Sequence, residues 1–154
     1  MLRPLDDMTE PVLRRVHSWW QSHRTTEALP SRRDLDPADL REVLPHLFIV
    51  DVLHGRLLDF RYRLVGTAIE DYAGVRLTGS TVRELPIDGE QRFSIISQYG
   101  RSMHRREPTY CEHAYVVARK KYVRYRRFVA PLSTVPPLVD MLLGAMIFEV
   151  SYRV

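Results

Sequence analysis

Apolar residues recur at helical spacing at Val12, Val16, Trp19 and Trp20. That stripe predicts a helix from an N-cap at Thr9 to about His23. Residues 24–35 read as a connector with a turn at Pro30-Ser31. Asp36-Pro37 opens a second, short helix, with Asp as N-cap, Pro in its first turn and Pro45 as its stop. The period then changes. Residues 47–53 are apolar and β-branched, and Phe60, Tyr62 and Leu64 alternate with Asp59, Arg61 and Arg63, a half-buried strand. The turn at His54-Gly55 makes the pair an antiparallel hairpin. Two boxes of the form Thr-x-x-Glu, at 67–70 and 81–84, start short helices, with Gly74 as a C′ residue and Pro86 as a stop. Asp88 with Gln91 starts a longer helix whose stripe is Phe93, Ile96, Tyr99, Gly100 and Met103. A glycine inside a helix points to close approach of another backbone at Gly100. Three further strands follow, at 109–118, 122–132 and 138–150, with turns at 119–121 and 134–137.

This order predicts an α+β fold: a five-stranded antiparallel sheet with helices on one face, preceded by an N-terminal helix. Residues 1–28 form the helix and connector, and residues 29–154 the sheet domain. Helices that cross one face between two hairpin groups can enclose a concave apolar site. Its candidate lining is Tyr62, Leu64, Tyr72, Leu85, Phe93, Ile96, Tyr99, His113, Tyr115 and Met146. Such stripes describe core before they describe a pocket. The eight tyrosines favour a ligand, because a buried phenol needs a hydrogen-bond partner.

Composition narrows the class. The chain has 154 residues, 45% of them hydrophobic, with a net charge of only +4, so one ordered domain is expected. A single cysteine, Cys111, excludes an intramolecular disulfide and a multi-cysteine zinc site. The first residues carry Asp6 and Asp7 and no long apolar run, and the apolar stretch 138–150 contains Asp140 and Glu149. Neither a signal peptide nor a spanning helix is expected, and the default location is the cytoplasm. The charge is concentrated: Arg119, Lys120, Lys121, Arg124, Arg126 and Arg127 fall within nine residues without an acid. Basic residues interleaved with Tyr122 and Tyr125 suit a nucleic-acid surface, but alternation leaves neither face purely basic, which favours the wet face of a hairpin.

Two stretches carry a family resemblance. One runs from Leu29-Pro30-Ser31-Arg32-Arg33-Asp34-Leu35-Asp36-Pro37 through Leu44-Pro45-His46-Leu47-Phe48-Ile49-Val50-Asp51. The other is Phe60-Arg61-Tyr62-Arg63-Leu64-Val65-Gly66-Thr67, continuing to Leu77-Thr78-Gly79. With Ala130-Pro131-Leu132-Ser133, they resemble the PAS-like family of alphaproteobacteria known as the PAS_5 type, over about residues 15 to 150. The resemblance implies a stand-alone sensory or regulatory domain that binds a small ligand, a signalling partner protein or both, and acts on no substrate itself. PAS folds serve many ends, so the site must decide the function.

For a haem ligand the candidates are His104, beside the helix stripe, and His113, on a strand; a lone histidine is more often a core or surface residue. A flavin-adduct domain carries its cysteine after the second strand, whereas residues 67–85 here contain none. His104 with Glu107, or Cys111 with His113, offers at most two metal ligands. Nothing resembles a nucleophile elbow, a phosphate loop or a spaced carboxylate pair. The expectation is therefore no cofactor, no metal, no catalysis and no membrane. The expected partners are a small molecule, a signalling protein and a second copy of the chain, docked through Val12, Val16, Trp19 and Trp20. The alternative is nucleic-acid binding by the basic hairpin 119–127.

Overall fold

The computed structural model describes residues 1–117 and 121–152, and their side chains except at 115–117. Strand β1 (Leu2–Arg3) leads into helix α1 (Pro11–His23). A 3-10 helix (Pro37–His46) precedes the hairpin of β2 (Leu47–His54) and β3 (Leu58–Val65). Helix α2 (Thr67–Ala73), a 3-10 turn (Val82–Glu84) and helix α3 (Gly89–Arg105) lead to β4 (Thr109–Val117), β5 (Lys121–Leu132) and β6 (Met141–Tyr152). The sheet order is β1-β4-β5-β6-β2-β3, antiparallel throughout. It has one strand more than the pattern predicts, because two residues at the start pair with Tyr110 and Cys111. Two residues are too few to show a period of two.

The helices do not all share one face. On β5, Phe128 packs on His17 of α1, while its neighbour Arg127 bonds to Gln98 of α3. Successive strand residues point to opposite faces, so α1 covers one side of the sheet and α3 the other. Residues 127–132 of β5 are accordingly buried without interruption. In α1, Leu13, Val16, Trp19 and Trp20 are all buried, and the Trp20 indole donates to the Pro131 carbonyl at 2.8 Å. They belong to the same hydrophobic cluster as Phe48, Phe60, Tyr99 and Leu142.

Three local readings change. Helix α1 is entered at Glu10 with Pro11 in its first turn, not from a Thr9 cap. The box at 67–70 is not formed. Gly66 is the N-cap of α2, and the Glu70 carboxylate instead accepts from the Leu77 and Thr78 amides at 2.6 and 3.5 Å. Gly100 is not a point of backbone contact, since a Cβ there would meet only Leu58 Cδ2 at 3.6 Å. The close approach is at Gly66, where a Cβ would fall 2.2 Å from the Pro45 carbonyl oxygen. The box at 81–84 forms fully, and the Asp88 cap accepts from the Gln91 amide at 2.7 Å.

Candidate functional site

The face of the sheet opposite α1 is only partly filled by α3. Beside it, under α2 and the links on either side of the Val82–Glu84 turn, lies a cavity of about 580 Å³. Tyr62 of β3 and Ile69, Asp71, Tyr72 and Ala73 of α2 line one side. Val75, Leu77, Leu85, Pro86 and Ile87 line the connecting segments, and Gln91 and Ile95 contribute from α3. The floor is the sheet: Lys121, Val123, Tyr125 and Arg127 from β5, and Met146, Phe148 and Val150 from β6. These strand residues occur at every second position, the set that one pleated face presents. The Tyr72 ring stacks on Phe148 with centroids 3.8 Å apart, so an aromatic contact fastens α2 to β6.

Of the polar lining groups, Arg127 and Tyr62 are firmly held. Arg127 is 2% exposed. Its Nε donates to Gln98 Oε1 at 2.6 Å, and the Gln98 amide nitrogen donates back to the Arg127 carbonyl at 3.0 Å. The guanidinium lies 5.6 Å from the Tyr99 ring centre and 5.4 Å from that of Tyr125. Its Nη2 has no hydrogen-bond partner among the described residues, and no carboxylate there forms an ion pair with it. Close by, the hydroxyls of Tyr62 and Tyr99 share a hydrogen bond of 2.9 Å. Burial raises the pKa of both phenols, that of Tyr99 well above its ordinary value. Both therefore stay protonated. Two hydroxyls that share one bond keep one proton to donate elsewhere.

Of the ten predicted residues, the cavity gathers Tyr62, Tyr72, Leu85 and Met146. Tyr99 is core, 1% exposed, wedged between Phe48 and Phe60. Ile96 is half-buried against that core and outside the lining. His113 faces the same side of the sheet, stacked on Tyr125 at 5.4 Å, but is not part of the lining; burial lowers its pKa. The Tyr115 side chain lies outside the described residues.

Leu64 and Phe93 are corrections. Val50 pairs with Tyr62 but Ile49 with Leu64, so Arg63 is an extra residue in the ladder. That bulge turns Leu64 to the other face, where it is 41% exposed. Phe93 is 74% exposed. The buried face of α3 is carried by Gln98, Tyr99, Ser102 and Met103, so polar residues occupy positions that an apolar stripe leaves out. Ser102 bonds to Thr109 Oγ1 at 2.7 Å and to the Val129 carbonyl at 3.3 Å, which makes its burial tolerable.

The basic run is dispersed. Arg126 points to the α1 side, where it meets Glu10 at 3.0 Å, Glu149 at 3.4 Å and Glu112 at 3.7 Å. Arg127 is buried on the other side, and only Arg124 of this strand's arginines is exposed. Residues 119 and 120 lie outside the described residues. A surface for phosphates needs cations that face solvent together, and the described part of this hairpin presents none. Among the described residues, no three His, Cys, Asp or Glu side chains are grouped to hold a metal.

The PAS domain family model matches residues 8–147. The chain belongs to the PAS domain family. The PAS domain of BvgS from Bordetella pertussis is similar in structure, with a TM-score of 0.53 at 18% identity, over 71% of this chain and 79% of that one. A light-oxygen-voltage domain studied with a flavin analogue has a TM-score of 0.51 at 14% identity, over 73% and 82%. No curated protein matches the chain. At these identities the two structures establish a shared fold. In this PAS domain α1 and β1 are integral to the sheet's second face and its edge, and Cys111 is buried on β4 opposite Arg127. No helix among the described residues is long and apolar enough to cross a membrane.

Proposed function

We propose that this PAS domain is a sensory or regulatory module that takes up a small molecule in the cavity between α2, α3 and the sheet. It relays its occupancy to a signalling partner and carries out no reaction of its own. The observation that carries this reading is the cavity: about 580 Å³, within the range of roughly 300–1,000 Å³ typical of small-molecule sites. Its wall is suited to respond. Helix α2 has seven residues, too short to be stable alone. It is held by Ile69, by the stack of Tyr72 on Phe148 and by the Glu70 contacts to the following loop. A ligand beneath it can shift its position while the sheet stays fixed.

The partner copy docking through α1 loses most of its argument, because Val16, Trp19 and Trp20 are already buried within one chain and Val12 is half-buried against the same core. The division into residues 1–28 and 29–154 stays part of the proposal, with both parts contributing to one hydrophobic cluster. Cytoplasmic placement remains part of the proposal.

Thermal melts against a library of organic acids, nucleotides and lipids, with native mass spectrometry of the purified protein, test this reading. Met146→Trp is the cavity-filling variant, because Met146 lines the space. We expect ligands that raise the melting temperature of the wild type and not that of the folded variant. The reading fails if no compound stabilises the wild type, or if every one stabilises both proteins equally.

A further inference from the structure

The cavity reading leaves Arg127 unexplained. A buried guanidinium without a carboxylate partner is costly, and a solvated hairpin does not require one here. Four contacts hold it still: Nε on Gln98, its own carbonyl under the Gln98 amide, and the rings of Tyr99 and Tyr125. Nη2 is left without a partner among the described residues, and the side chain borders the cavity. Tyr62, which also lines the cavity, accepts from Tyr99 when Tyr99 donates, so its own proton remains available.

We propose that the ligand is an organic monoanion, an amphipathic carboxylate whose head pairs with Arg127 and Tyr62. This rests on the reading of the cavity as a ligand site. A carboxylate presents two coplanar acceptors, which suit a guanidinium N–H and a phenol O–H. One buried positive charge balances one negative charge, while Lys121, the other cation of the lining, is only half-buried. Leu85, Ile95, Val123, Met146 and Phe148 surround the remaining space and suit an alkyl or aryl body. The acidic lining residue, Asp71, is exposed and forms no ion pair with Arg127, so it opposes the head group only from the solvent side. The same head group would bear on Gln98 through Arg127, and thereby on α3.

Matched pairs test the proposal on the wild-type protein: octanoate against octanamide, and phenylacetate against phenylacetamide, by calorimetry at neutral pH. Each carboxylate should bind on the order of tenfold or more tightly than its amide. Arg127→Met should abolish that preference while retaining the amide, and Arg124→Met, at an exposed position, should leave it intact. Should Arg127→Met fail to fold, Tyr62→Phe supplies the second variant and should reduce the preference. Equal binding of carboxylate and amide to the wild type overturns the anion proposal and leaves the cavity reading standing. If neither series nor any neutral compound binds, the cavity reading fails as well.

Discussion

Tyr62 and Tyr99 illustrate how single residues set limits on this protein. Their hydroxyls share one hydrogen bond of 2.9 Å, buried from solvent. Tyr62→Phe leaves the Tyr99 hydroxyl buried without its partner, a loss of about 1–3 kcal/mol. Replacing both by Phe removes the demand as well as the supply, so the double variant should lose less than the two single losses added together. Urea unfolding of the four proteins measures that coupling; strict additivity would show that the bond contributes nothing. The pair has a pH signature too. Both folded-state pKa values are raised by burial above 10.0, the ordinary phenol value. The folded state therefore holds protons that the unfolded chain releases, and the associated stability is complete below pH 10 and declines as pH rises past it. The midpoint of urea unfolding should fall above that pH, and the decline should be shallower in the double Phe variant.

At the scale of elements, glycines at two helices give opposite expectations. Gly66→Ala drives a methyl into the Pro45 carbonyl, a backbone atom that cannot step aside. It should cost on the order of 1–3 kcal/mol and loosen the α2 wall. Gly100→Ala meets only the end of Leu58 and should stabilise α3 by up to about 1 kcal/mol. Thermal melts of both variants check the contrast. Helix α1 is the larger test. A chain beginning at Pro30 would expose the face bearing Phe128, Ala130 and Leu132, which are all fully buried. It should lose its cooperative melt; a sharp transition near that of the full chain would refute the structural role. The sequence made these elements legible where one kind of pattern ruled. Caps, prolines and alternation located α1, the hairpin and the three long strands to within a few residues. They could not show which face of α3 is buried, because Gln98 and Ser102 are polar and their hydrogen-bond partners come from β4 and β5. Nor could alternation register the extra residue at Arg63, since a bulge leaves no mark in hydrophobicity.

On the scale of the whole molecule, the site was half visible. Period two along β6, followed from Met146, leads to Phe148 and Val150, and along β5 it places Tyr125 and Arg127 together. What the chain could not disclose is that this face of β5 is roofed. That depends on α2 and α3 crossing from a hairpin some sixty residues earlier, a matter of topology. The basic run was legible by the same alternation, which sets Arg124 and Arg126 on one face of β5 and Arg127 on the other.

Arg126 and Arg127 are neighbours that look out of opposite sides of β5, one toward the carboxylates around α1, the other into the cavity. The sheet between them is a single strand thick, so it would work as a party wall: what leans on one side would be felt by the tenant of the other. An occupant that tugs on Arg127 and a protein that grips α1 would never touch, yet a peptide bond would join their handholds. Messages through this domain would then travel across the wall, over the shortest path a folded chain can offer.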